Sequence, residues 1–297
     1  LCVCSKNEMK NAIEPFFKHP KMVLKKNDIS IFFANWNKKV ENIKKIKKLL
    51  NIDYNSILFF DDNPVERDLA KIEIPALKVP DLPESVANYL PYLKSLNLFE
   101  TSTFDKNDEI RTKQYIDEIK RTELKPNFKT HSEYLDFLKM ESSFSDINNS
   151  NIKRVHQLLL RTNQFNMTSK RYSLETLNSI SKNNQFISLV FNLRDKYGDY
   201  GIVSSIFLNK TGKNYFIDNW VMSCRVFNRQ FENFIMKQIT LIILNINGNK
   251  LIGQYIKTKK NKIIMNLYKN MGFKFLDNQW ELKIKNNINF PSQIKLI

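Results

Sequence analysis

The chain has 297 residues, 42% of them apolar and 12% aromatic; that is enough for two domains with their own cores and too apolar for a disordered chain. Its net charge of +17 is mostly Lys scattered among Asn and Ile, whereas sequence-specific DNA readers lean on Arg, so composition argues against nucleic acid and leaves room for an acidic protein partner. No apolar run approaches the roughly 18 to 20 residues of a membrane span.

The chain opens on Leu-Cys-Val-Cys-Ser, without an initiator Met and without the pattern of a signal peptide. The expectation is a chain whose beginning is missing. Cys2, Cys4 and Cys224 form an odd set with no framework spacing, which points to a reducing, cytoplasmic setting. Cys2-x-Cys4 without further ligands is no zinc pair.

Leu1–Cys4, Ser56–Phe60 and Ala76–Val79 read as short buried strands, and Lys39–Leu50 as an amphipathic helix with Val40, Ile43, Ile46, Leu49 and Leu50 on one face. Such alternation over residues 1–80 predicts a parallel α/β sheet. Residues 81–130 read as a helical connector, with Leu82–Leu98 punctuated by Pro83 and Pro91 and a polar helix over Asp105–Glu123. From 131 to 285 the predicted order is richer. A strand at Ser142–Asp146 precedes helices Ile152–Thr162 and Leu174–Ser181. Strands Phe186–Arg194, Gly201–Leu208 and Tyr215–Met222 follow. The helix Phe231–Ile246, strand Leu251–Ile256, helix Lys262–Met271 and strand Phe275–Ile284 complete the domain, and 286–297 is left as a tail.

The order β-α-α-β-β-β-α-β-α-β resembles that of GNAT acyltransferases. The resemblance implies that Asn261, opening the penultimate helix, meets a pantetheine arm and that Tyr268 lies near the thiol leaving group. A plain alternative is an aromatic core contact and a Gly272 helix cap. At the junction Met222–Gln230, GNAT proteins present backbone N–H groups at a helix N-terminus to the coenzyme A pyrophosphate. Their pattern there is Arg or Gln, two residues, Gly, one residue, then Gly or Ala. Arg225 matches, but Asn228 and Gln230 stand at the glycine positions. A carrier-bound phosphopantetheine, lacking the adenosine end, depends less on that loop.

Three segments, Thr162-Asn-Gln-Phe-Asn-Met-Thr168, Asp195-Lys-Tyr-Gly-Asp-Tyr-Gly201 and Trp220-Val-Met-Ser-Cys-Arg225, resemble the FkbH-like family over about residues 1–275. Its members join a HAD-type phosphatase-like domain to a GNAT-like acyltransferase domain. The implied fold is a partial HAD-type Rossmann-like parallel sheet followed by a mixed-sheet GNAT-type domain. The implied activity is loading of a glyceryl unit, from a phosphorylated three-carbon donor, onto the phosphopantetheine of an acyl carrier protein. In that scheme Cys224 is the candidate nucleophile, activated at a helix N-terminus beside Arg225 and Arg229; the alternative is an inert buried cysteine. Asp199 is an acid/base or a turn former, and Asn163 and Gln164 bind a polyol or cap the preceding helix.

In the N-terminal part, Ser56–Phe60 ends on Asp61 and Asp62, hard oxygen donors suited to Mg²⁺ at a strand end. Asn63-Pro64-Val65-Glu66 satisfies the rules for a helix start, which makes Glu66 structural. With Ser5 and Lys39, in Asn35-Trp36-Asn37-Lys38-Lys39, this resembles HAD motifs two to four. The resemblance makes Ser5 and Lys39 phosphate binders and Asp62, then Asp61, the metal ligands. The HAD nucleophile belongs to an Asp-x-Asp motif before Ser5, which this sequence does not contain, so the expectation is that phosphatase activity is lost. Two alternatives stay open: acyl transfer from acyl-CoA to an amine, and a non-catalytic binding module.

Overall fold

A computed structural model describes residues 1–99, 111–286 and 288–297. The chain divides into two compact units, Leu1–Asn127 and Phe128–Ile297.

In the first unit, β1 (Cys2–Ser5) and β2 (Ile31–Ala34) pair in parallel, Cys2 opposite Ile31 and Ser5 opposite Ala34. The short run Ile-Phe-Phe-Ala is a strand that sequence periodicity passed over. Helices α1 (Met9–Ile13) and α2 (Pro15–Lys18) lie between these strands in sequence. The expected strands Ser56–Phe60 and Ala76–Val79 shrink to one parallel bridge, Leu58 with Lys78, closed by Phe59 N–H to Lys78 O (2.9 Å). Helix α3 (Lys39–Leu50) has the predicted bounds and ends at Asn51 with φ 50°, a left-handed stop that Asn tolerates. It packs with α4 (Pro64–Glu73), burying Val40, Ile43, Ala70 and Ile74 against Phe59 and Leu77. After α5 (Tyr89–Ser95), α6 (Arg111–Leu124) packs on α3; the part of the predicted polar helix over residues 105–110 lies outside the described residues.

The second unit is one mixed sheet between two layers. Helix α7 (His131–Leu138), capped by Thr130, whose Oγ1 accepts from Glu133 N–H at 3.1 Å, leads to β3 (Glu141–Ser142) and β4 (Phe144–Asp146). Then come α8 (Ile152–Arg161), α9 (Leu174–Ser181), β5 (Phe186–Asp195), β6 (Gly198–Thr211), β7 (Asn214–Met222), α10 (Phe231–Asn245) and β8 (Lys250–Gly253). The chain finishes with α11 (Leu267–Asn270), β9 (Lys274–Leu276), β10 (Gln279–Lys283) and β11 (Lys295–Leu296). The strand order is β11-β3-β5-β6-β7-β8-β10-β9, with β4 on β5. β5–β6–β7 form an antiparallel meander, and β7–β8 is a parallel pair crossed over by α10.

The pleat sorts the core. On β6, Phe207 faces Val155, Leu158, Leu159 and Leu177 of α8 and α9, while its neighbours Ile206 and Leu208 face Phe234, Ile235 and Ile239 of α10. The predicted meander β5–β6–β7 and the crossover to β8 therefore form the centre of a mixed sheet. Three expectations change. The strand Leu251–Ile256 ends at Gly253. The helix Lys262–Met271 breaks into a 3-10 turn (Lys262–Ile264) and the four-residue α11. The last strand is a hairpin turning at Asp277 and Asn278, both at positive φ, as a primed turn requires. The tail is part of the fold: Phe290 and Ile294 are buried, and β11 pairs in parallel with β3.

One close approach governs the β8 side. A Cβ on Gly253 would stand 2.3 Å from Tyr268 Cζ and 2.7 Å from its hydroxyl, and Tyr268 is itself buried against Phe273 and Trp280. Gly253→Ala should therefore cost about 1–3 kcal/mol as an overpacked site. Urea unfolding of this variant, with Gly212→Ala as a control where a Cβ meets nothing within 4 Å, checks the packing argument; equal losses would remove it.

Candidate functional site

The strand ends of the first unit gather charge. Lys39 is the first residue of α3, where a cation opposes the helix dipole. Its ammonium is compensated by Asp61 Oδ2 at 2.6 Å, with both side chains largely buried. Asp61 Oδ1 accepts the N–H of Asn63 at 3.1 Å, and Asn63 Oδ1 caps α4 through Val65 N–H at 2.9 Å. Cys4 Sγ donates to Lys39 O at 3.6 Å, and burial pushes its thiol up to about 11, against the pull of the Lys39 ammonium. Ser5, next in chain, is half-buried and held through its carbonyl by Asn35 N–H. The predicted cap residue Glu66, itself buried, instead pairs with the partly exposed Lys6, leaving Oε2 without a hydrogen-bond partner among the described residues. Arg67 Nη1 holds both Asp61 O and Asp62 O at 2.9 Å.

The two carboxylates expected to hold Mg²⁺ differ in their surroundings. Both Asp61 oxygens are bonded to protein donors, and Asp62 points to an exposed position. Among the described residues no three His, Cys, Asp or Glu side chains converge on a metal position. Asp61 and Asp62 alone do not make the oxygen cage that Mg²⁺ takes, so no step is derived through it.

In the second unit the junction between β7 and α10 is a built turn. Cys224 starts a 3-10 turn, Cys224–Val226, whereas α10 begins at Phe231 with Gln230 as its N-cap. The thiol is thus six residues ahead of the helix end that was expected to activate it. Asn228 and Gln230 both adopt positive φ, 59° and 57°. These are the positions where the GNAT pattern has glycine, and the backbone keeps that conformation at a cost of order 1–2 kcal/mol per residue, less for Asn. His131 secures the turn by donating from Nε2 to Asn228 O at 2.8 Å.

Arg229, between the two, turns inward. Its Nη1 donates to Asp195 Oδ2 at 3.1 Å, with side chains 5% and 0% exposed, and its guanidinium lies 4.8 Å from the Tyr200 ring centre. Asp195 Oδ1 meanwhile accepts the N–H groups of Tyr197 and Gly198 in the β5–β6 turn. Arg229 is therefore a clamp between hairpin and turn. Arg225 Nε donates to Ser223 Oγ at 3.3 Å. Neither Asp195 nor Arg229's clamping role was read from sequence, although the Asp-x-x-Gly spacing of a carboxylate-closed turn was visible.

Beyond Ile217, β7 is no longer paired with β8. The gap is crossed by Phe165–Thr168: Met222 N–H reaches Phe165 O and Met167 N–H reaches Trp220 O, both at 3.1 Å, and Ile256 N–H reaches Met167 O at 2.8 Å. Asn261 locks the same corner. Its Oδ1 accepts from Thr258 N–H (2.8 Å) and Tyr255 Oη (3.0 Å), and its Nδ2 donates to Asn166 O and Ile256 O. All four hydrogen-bonding places of that amide are taken, so Asn261 is a structural staple and cannot also bind a pantetheine arm. Tyr268 is the opposite case. It is 1% exposed, its hydroxyl has no hydrogen-bond partner, and burial pushes its pKa well above the ordinary phenol value. It remains a protonated donor.

Asn163 is exposed and accepts from Arg171 Nη2 at 2.6 Å, while Arg171 Nη1 takes the carbonyls of Leu159 and Leu160 at the end of α8. Its helix-capping reading is the one the geometry favours; Gln164 is exposed beside it. Asp199 is exposed and accepts Gly201 N–H at 2.7 Å, the turn-former geometry. A shallow cleft of about 240 Å³ elsewhere on the sheet, lined by Ser143, Asn148, Asn151 and Asn192 among others, contains none of these residues.

The N-terminal part of a Bacteroides fragilis protein, containing a phosphatase domain and solved with Mg, is 50% identical over 35% of this chain and 27% of that one, with a TM-score of 0.34. The chain thus spans about a quarter of that protein part. The ribosomal-protein-S18-alanine N-acetyltransferase of Escherichia coli is 11% identical over 50% of this chain and 99% of its own, TM-score 0.38. A GNAT-family acetyltransferase of Staphylococcus aureus is 12% identical over 48% and 99%, TM-score 0.37. No protein-family model and no curated protein matches the chain.

Two outcomes follow from the geometry. Asp195→Asn leaves a buried guanidinium without its counter-charge and should cost about 3–5 kcal/mol in urea unfolding; the pair Asp195→Leu with Arg229→Met should recover most of that, and a loss under 1 kcal/mol for the single change would rule out the clamp. Glu232, in the first turn of α10, has a carboxyl whose pKa burial raises, opposed by its own N–H, and one oxygen without a hydrogen-bond partner. A raised folded pKa means its contribution is present at low pH and lost as pH rises through that value. Glu232→Gln should therefore raise Tm at neutral pH by more than at pH 4; the reverse order would contradict the sign.

Proposed function

We propose that the second unit is an acyltransferase of the FkbH-like kind. It takes a glyceryl or similar acyl group from an activated phosphoglycerate and delivers it to the phosphopantetheine thiol of an acyl carrier protein. The observation that carries acyl transfer is the buried Tyr268 hydroxyl with no partner. An unpaired buried hydroxyl costs about 1–3 kcal/mol, and an arriving thiol or thiolate would supply the acceptor it lacks. The three FkbH-like segments contribute the clamp (Asp195), the crossing strap (Phe165–Thr168) and the Cys224 turn, which supports reading them as one working unit.

In this scheme Cys224 Sγ, as thiolate, attacks the carbonyl of the acyl phosphate, the acyl–oxygen bond breaks and the activating phosphate leaves, while any ester phosphate stays on the acyl group for a separate phosphatase to remove. The carrier thiol then loses its proton to solvent, attacks the thioester carbonyl as thiolate and displaces Cys224 as thiolate. With the helix end six residues away and Arg229 engaged by Asp195, Arg225 is the cation nearest in sequence to the thiol. In the first unit, Ser5 and Lys39 are proposed as phosphate binders, with the Lys39–Asp61 pair opening to receive the anion. Phosphate-ester hydrolysis is not proposed for this sequence.

A second reading, transfer from acyl-CoA to an amine, is favoured by the left-handed Asn228 and Gln230, which preserve the turn that meets a pyrophosphate. Intact-protein mass spectrometry after incubation with the activated donor decides between them. An acyl adduct absent in Cys224→Ala, followed by loading of a holo-carrier, is the expected result. Turnover of acyl-CoA unaffected by Cys224→Ala would instead select the second reading.

A further inference from the structure

Between Glu232 and Asp277 the chain has no acidic residue, and no arginine follows Arg229. The centre of that stretch is the connection from β8 to α11. Lys257, Lys259, Lys260 and Lys262 are all exposed there, and none has an ion-pair partner among the described residues. Ile256, Ile263 and Met265, beside them in the chain, are exposed at 41%, 66% and 51%. Some lysines elsewhere, such as Lys44, Lys71 and Lys170, are paired with carboxylates. Here a concentrated positive charge surrounds bare apolar side chains.

The loop is also rigid by construction. Asn261, at its middle, spends its four hydrogen bonds on Thr258, Tyr255, Ile256 and Asn166. A loop that only had to stay soluble would need no such staple. Tyr268, with its unpartnered hydroxyl, follows three residues after Met265, in α11.

We infer that the Ile256–Met265 loop is a preformed docking surface for an acidic protein helix, whose carboxylates meet the lysines and whose apolar stripe covers Ile263 and Met265. Interfaces pair a small apolar centre with a charged rim that steers the encounter. Nucleic acid fits less well, since the loop has no arginine fork for phosphate or base and exposes Ile and Met. A lipid surface fits less well because the loop lacks a long amphipathic helix. On the carrier-loading reading, on which this identification of the partner rests, the acidic helix belongs to the carrier protein.

The test uses the whole chain and an acyl carrier protein without its phosphopantetheine, so that binding does not depend on chemistry. Lys259→Glu with Lys260→Glu should weaken binding by about tenfold or more at low salt, with the difference shrinking as salt rises. Ile263→Ser should weaken it without altering the salt slope, and Lys153→Glu, a charge reversal on α8, should have little effect. Unchanged affinity in the double reversal, or no binding to the wild-type chain, overturns the surface. Tighter, lysine-dependent binding to a short DNA duplex or to vesicles of phosphatidylserine and phosphatidylcholine overturns the choice of partner. Lysine-dependent binding without acyl loading would sink the loading reading alone; loading with unchanged affinity would sink the surface alone.

Discussion

The buried pair between Arg229 and Asp195 is the contact on which the candidate site depends. It fixes three things with two side chains. Asp195 closes the β5–β6 turn with one oxygen and holds the guanidinium with the other. The guanidinium, stacked near Tyr200, then pins the only stretch of the junction where two residues two apart stand in left-handed conformation. Two charges removed from water are costly, and a buried pair is a poor source of net stability. What it contributes here is position: a turn that the local sequence does not favour is held in register with a hairpin.

Around that clamp, polar groups divide into the committed and the open. Asn261 has four partners, Asp61 has both oxygens occupied, and Asn163 serves the helix end through Arg171. These residues are chemically suggestive in sequence, yet the fold has used them. Tyr268 Oη, Glu66 Oε2 and Gln230 Oε1 are the reverse, polar atoms buried with no partner. A ligand or an ordered water is the usual resolution of such atoms, and they are better guides to function than residue type alone.

Much of the second unit was legible because its elements are long and periodic. The helix Leu174–Ser181 and the meander Phe186–Met222 carry 3.6- and 2-residue patterns that survive folding with little change. What was not legible depends on contacts distant in the chain. Strand Leu251–Ile256 stops early because Ile256 gives its N–H to Met167, nearly ninety positions upstream. The tail joins the sheet because β3 has a free edge for β11. Ile31–Ala34 is four residues long, too short for periodicity to register. For the site, motif matching did not foresee the hydrogen bonds that occupy Asn261 or the clamp that Arg229 makes with Asp195, because a motif names residues without counting their hydrogen bonds.

Positions 228, 230 and 253 differ in how much mutational drift they tolerate. At 228 and 230 the demand is on backbone angles alone, and a polar side chain meets it with modest strain. At Gly253 the demand is on volume, because the tyrosine ring already fills the space of a methyl group. A coding bias toward Asn, Lys and Ile can therefore pass through the 228–230 turn while leaving its shape intact. It cannot pass through 253 unless the ring at 268, and the hydroxyl it carries, is surrendered as well.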